Sequence, residues 1–95
     1  MIIIVAKSII KKDKIEKFKL LAEKLIEESK KEEGCISYKL FNDINNKTIY
    51  TFIEQWKDRN AIDIHNNSKH FTSIVPKLQE LQEKDSEVNL YEVVI

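Results

Sequence analysis

Apolar residues change their spacing several times along the chain, and each change predicts an element. Ile2-Ile3-Ile4-Val5-Ala6 is β-branched and almost unbroken, the pattern of a strand covered on both faces, and it predicts a first strand to about Ile10. From Ile15 the spacing becomes helical. Ile15, Phe18, Ala22, Leu25 and Ile26 recur with Leu21 alongside, and Glu16, Lys19, Glu23, Lys24, Glu27, Lys30 and Lys31 fill the opposite face. An amphipathic helix of about 20 residues follows. Asp13 and Glu16 have the spacing of a capping box at its start, and Gly34, the only glycine, suits a left-handed position after its end.

Beyond Gly34 the period drops to two. Ile36, Tyr38 and Leu40 alternate with Ser37 and Lys39, a turn-rich Asn42-Asp43-Ile44-Asn45-Asn46 follows, and Thr48 to Trp56 is β-branched and aromatic, which together predict a hairpin. Asp58 can cap a short helix through His65, and Ser68 a second one carrying Phe71, Ile74, Val75, Leu78 and Leu81. Pro76 removes a backbone donor inside that second helix and predicts a bend or a split there. Val88 to Ile95 alternates again. The order strand, helix, strand, strand, helix, strand is the α+β, ferredoxin-like βαββαβ arrangement with an antiparallel sheet, and residues 1–95 form one domain.

The third strand carries two different faces. Ile49, Thr51 and Ile53 point one way, and Tyr50, Phe52 and Trp56 point the other with Glu54 among them. Two helical segments can cover one face of a four-stranded sheet, so the other face needs a second copy of the chain, and a homodimer is expected. The aromatic side chains would then enclose space between two sheets, with Glu54 and the nearby histidines as its polar groups.

Composition narrows the classes of function. The 16 basic and 16 acidic side chains cancel, so nothing in the overall field draws nucleic acid or anionic lipid. The sheet also lacks the basic, glycine and aromatic pattern of RNA-binding domains of this topology. Hydrophobic residues at 42% and charged residues at 34%, interspersed, describe a globular chain. A lone Cys35 cannot form an internal disulfide, and Ile2 to Ala6 is too short for a membrane span or signal peptide, so a reducing cytoplasm is the expected setting.

Three segments in order then bear a family likeness: Glu32-Glu33-Gly34-Cys35, Glu54-Gln55-Trp56, and His65-Asn66-Asn67-Ser68-Lys69-His70-Phe71. Over nearly its whole length the chain resembles the antibiotic biosynthesis monooxygenase family, dimeric α+β barrels that include quinol monooxygenases. The resemblance implies a cofactor-independent oxygenase of quinols or polycyclic phenols with dioxygen as co-substrate. It also leaves open an autoinducer-processing-type isomerase acting on a small, oxygen-rich substrate, and a dimer that binds a metabolite without turnover. The haem-degrading branch uses an asparagine, a tryptophan and a histidine where this chain has Ala6 or Lys7, His65 and an apolar residue near Val75, which argues against haem.

Within that resemblance His65, His70 and Glu54 are the candidate catalytic groups, the histidines as bases and Glu54 as their orienting partner. Tyr38, Tyr50, Phe52, Trp56 and Phe71 are the candidate walls for an aromatic substrate. The same residues admit architectural readings: a helix-end His65, a surface His70, a ladder-edge Glu54, core or interface packing for Trp56 and Phe71, and a small buried hydrophobe in Cys35. Two histidines five residues apart without a thiolate set do not have the spacing of a helical metal pair, so neither metal nor cofactor is expected.

Overall fold

In the computed structural model, which describes residues 1–95, the β-branched opening run forms β1 (Ile2–Ile9), followed by a 3-10 turn at Lys12–Lys14 and helix α1 (Ile15–Ser29). The hairpin is β2 (Cys35–Asn42) and β3 (Ile49–Trp56). Two helices, α2 (Arg59–Asn66) and α3 (Lys69–Glu80), then lead to β4 (Glu87–Glu92). The four strands make one antiparallel sheet in the order β2-β3-β1-β4, which is the ferredoxin-like α+β topology. No helix is long and apolar enough to cross a membrane.

Register assigns every strand residue to a face. Ile2, Ile4, Ala6 and Ser8 stand opposite Trp56, Glu54, Phe52 and Tyr50, and all eight look toward the helices. Phe18 of α1 packs on Tyr50 and Phe52 with ring centroids 5.6 and 6.2 Å apart, and Ala22, Leu25, Ile74 and Leu78 complete the layer. The aromatic face of β3 is therefore sheltered by the chain's own helices. This corrects the expectation that it would meet a second sheet: aromatic rings carry the most area to bury, and they went where α1 and α3 cover them. The outward face holds the smaller aliphatics Ile3, Val5, Ile9, Ile49 and Ile53, together with Phe41 and Tyr91, which are 47% and 52% exposed.

Three local expectations change. Asp13 lies inside the 3-10 turn, so α1 begins at Ile15 without a side-chain cap and runs for 15 residues. Gly34 has no positive φ; its lack of a Cβ matters because one built there would stand 2.3 Å from the Ala61 Cβ of α2. Pro76 sits within a continuous α3, since only one intrahelical bond is forfeited and the helix is held by Ile74 and Leu78 in the core. The two later caps form as expected, Asp58 accepting from the Ala61 amide at 2.8 Å and Ser68 from that of Phe71 at 3.2 Å.

Candidate active site

Between the sheet and helices α2 and α3 lies a cavity of about 380 Å³, walled by residues from all four strands and all three helices. Of the candidate residues, Tyr38, Phe52, Glu54, His65 and Phe71 line it, with Ile4, Ala6, Val75 and Leu78 filling the apolar wall. Tyr50, Trp56 and His70 do not line it. Tyr50 stacks on Phe18 in the core. Trp56 is fully buried behind the wall, where its indole Nε1–H donates to Glu54 Oε1 at 2.9 Å and its ring lies 4.4 Å from that of His65.

Glu54 owes its place to strand alternation, which turns it inward between Phe52 and Trp56. Burial pushes its carboxyl up to about 7, against the opposing pull of the Trp56 indole and the Tyr38 hydroxyl. The charge of Glu54 and, above all, burial raise the Tyr38 phenol, so Tyr38 stays a neutral hydroxyl at the cavity wall. Burial also drives the Cys35 thiol up to about 11, which keeps it protonated and fits a packing role.

His65 ends α2, and the capped turn Asn67–Ser68 brings His70 of α3 beside it. Both rings meet one atom. Glu32 Oε2, from the turn after α1, lies 2.7 Å from His65 Nδ1 and 2.8 Å from His70 Nε2. A carboxylate oxygen contacted by two imidazole nitrogens accepts from both, so His65 carries its proton on Nδ1. Its other nitrogen, Nε2, is buried without a hydrogen-bond partner. Burial holds the His65 imidazole below its usual range, with Glu32 pulling the other way. The result is a neutral ring with a free lone pair, set among Tyr38, Trp56 and Phe71.

Glu32 is the site residue that the residue pattern did not single out, because its partners lie 33 and 38 residues away and only the fold brings them together. Its ligand atom and those of His65 and His70 lie within 4.8 Å of one another, so these three residues are also the set that could hold a metal ion. Glu32 adds a third donor that the spacing of the two histidines does not reveal. In this geometry Glu32 Oε2, His65 Nδ1 and His70 Nε2 are engaged with one another through two hydrogen bonds. Arg59, the only arginine in the chain, lines the cavity where α2 begins, and Ser8, Gln82 and Ser86 line its other end.

The model of one protein family, antibiotic biosynthesis monooxygenase, matches residues 1–77. An uncharacterized protein of Synechocystis, sll1783, is 37% identical over 92 residues, covering 96% of this chain and 63% of that protein, so the chain spans under two thirds of that relative. The Bacillus subtilis protein YcnE, whose name suggests a monooxygenase, is 36% identical over 81 residues, 85% of each chain. The crystal structure of a conserved protein from Methanosarcina mazei superposes with a TM-score of 0.96 at 42% identity, covering 98% of this chain and 92% of that one.

Proposed function

The chain belongs to the antibiotic biosynthesis monooxygenase family, and from that premise we propose that it is a cofactor-independent monooxygenase oxidising a quinol-like or polycyclic phenol inside its own cavity. The observation that carries this reading is the pairing of a mostly apolar, aromatic-walled cavity with two buried proton carriers, Glu54 and His65. A substrate hydroxyl gives its proton to one of them, and the anion left behind is electron-rich enough to reduce dioxygen. Two one-electron transfers and a new carbon–oxygen bond give a hydroperoxide at the ring carbon. Loss of that carbon's proton and cleavage of the oxygen–oxygen bond leave a carbonyl and one water, so the two oxygen atoms part between product and solvent.

Glu54 suits the proton transfer because its affinity for protons sits near neutrality, and His65 because its Nε2 lone pair is unspent. His70 lies outside the wall and acts through Glu32. The isomerase alternative calls for a polar cavity with basic side chains for a phosphate; Arg59 is the single cation among the lining residues. A second copy of the chain is proposed to cover the aliphatic outer face of Ile3, Val5, Ile49 and Ile53, giving the homodimer. Oxygen uptake by the purified, metal-free protein across a quinol panel tests the function: uptake above the uncatalysed rate supports it, and none across the panel overturns it.

A further inference from the structure

Resting on that reading of the cavity, we infer that Ser8, Gln82 and Ser86 form a second polar subsite, which takes an acceptor oxygen at the far end of a neutral, fused-ring phenol. Ser8 is the only polar side chain that β1 turns toward the helices, after Ile2, Ile4 and Ala6. It is buried, as is Gln82. Placing a hydroxyl in so apolar a row has a cost unless something bonds to it.

The hydrogen bonds leave one donor over. Ser8 Oγ and Ser86 Oγ stand 2.7 Å apart, and Gln82 Nε2 donates to Ser86 Oγ at 2.9 Å and to the Lys84 carbonyl at 3.1 Å. The two serines bring two hydroxyl protons, and their mutual bond uses one. Whichever way that bond runs, the other proton has no acceptor in the protein, so a carbonyl or similar oxygen of the cavity's occupant completes the set. A phosphate would want a cation here, but no lysine or arginine lines this end; Arg59 stands where α2 begins, at the opposite end.

Spacing adds a length. Glu54 is opposite Ile4, and Ser8 lies four residues farther along β1, which puts the two backbone positions about 13 Å apart along the strand direction. A hydrogen bond of about 2.8 Å at each end leaves about 7 to 8 Å between the ligand's own oxygens. That is the reach across a fused bicyclic ring system, with Ala6, Phe52 and Val75 as the walls between.

Anaerobic calorimetry with 6-acetyl-2-naphthol and 6-isopropyl-2-naphthol, two ligands of the same shape, tests the subsite. The acetyl compound is expected to bind about three- to tenfold tighter. That advantage disappears in Ser8→Ala and in Ser86→Ala, the latter a loop position that leaves β1 intact, while the isopropyl compound binds all three proteins alike. Equal affinity of the two naphthols for the unaltered protein, or an advantage that survives both substitutions, overturns the subsite alone. If neither naphthol binds the unaltered protein, the subsite falls as well, while the proposed function is decided separately by oxygen uptake across the quinol panel.

Discussion

Glu32 Oε2 lies 2.7 Å from His65 Nδ1, joining the turn after α1 to the last residues of α2 across 33 residues of chain. This contact fixes more than the position of a ring. It sets which nitrogen carries the proton, and so which one is left as an unpartnered lone pair. The same carboxylate oxygen holds His70, so one side chain braces both helices of the bend.

The first prediction concerns that tautomer. Long-range proton–nitrogen NMR at neutral pH should find His65 protonated on Nδ1 and bare on Nε2. Glu32→Gln keeps an acceptor but removes the charge that raises the ring's proton affinity, so His65 should titrate lower still. Glu32→Ala strands two imidazole donors and should cost about 1 to 3 kcal/mol of stability. An Nε2–H tautomer in the unaltered protein would rule out His65 as the base.

Glu54 makes stability depend on pH with a definite sign. Its carboxyl is raised from 4.5 to about 7, mainly by burial. Below pH 4.5 the acid is protonated whether folded or not; as pH rises toward 7 the unfolded chain ionises first, so folding is progressively penalised. The penalty levels off above 7, at about 3 kcal/mol in order of magnitude. Glu54→Gln removes it. Urea unfolding should therefore show the variant gaining on the unaltered protein between pH 4 and pH 8; a difference that stays flat with pH contradicts the buried, near-neutral carboxyl. Turnover in the same variant should fall by about 10² to 10⁴.

Gly34 and Ala61 form a packing pair that can be tested in reverse. A Cβ at position 34 would stand 2.3 Å from the Ala61 Cβ. Gly34→Ala should lower stability by about 1 to 3 kcal/mol. Adding Ala61→Gly should return most of this, less about 1 kcal/mol for a glycine within a helix. Thermal unfolding of the three variants measures the cycle; simple additivity would mean the two residues do not meet.

Association should depend on the outer face alone. Ile53 pairs with Val5 and Lys39 in the middle of that face, so Ile53→Glu places a charge at the centre of the proposed contact. Sedimentation equilibrium is expected to give twice the chain mass for the unaltered protein and the chain mass for the variant. A single-chain mass for both would sink the dimer.

Much of this architecture was legible in the residue pattern. The period of two in Tyr38 and Leu40 and the helical spacing from Ile15 to Ile26 predicted the right elements, and Asp58 and Ser68 cap where their chemistry says they should. What the pattern could not assign was which face of the sheet the helices would take. Both faces of β3 are apolar enough to be buried, and alternation says only that Phe52 and Ile53 part company. The candidate site was legible in part. Glu32, Glu54 and His65 all stand in the segments that bear the family likeness, but Glu32 draws its role from two partners distant in sequence. Ser8 did leave a local signal, a hydroxyl interrupting the β-branched row of β1, and only the cavity gave it meaning.

Because adjacent residues of β3 serve opposite ends, Glu54 inward and Ile53 outward, the strand tolerates exchange of side chains far better than any change in its length. A single residue inserted between Ile49 and Trp56 would swap the two sets at a stroke, turning the acid to the outside and pushing isoleucine into the cavity. Variation in length among descendants of such a chain should then accumulate at the Asn42–Thr48 turn, and at β2, where the irregular pairing between Cys35 and Ser37 already absorbs one step.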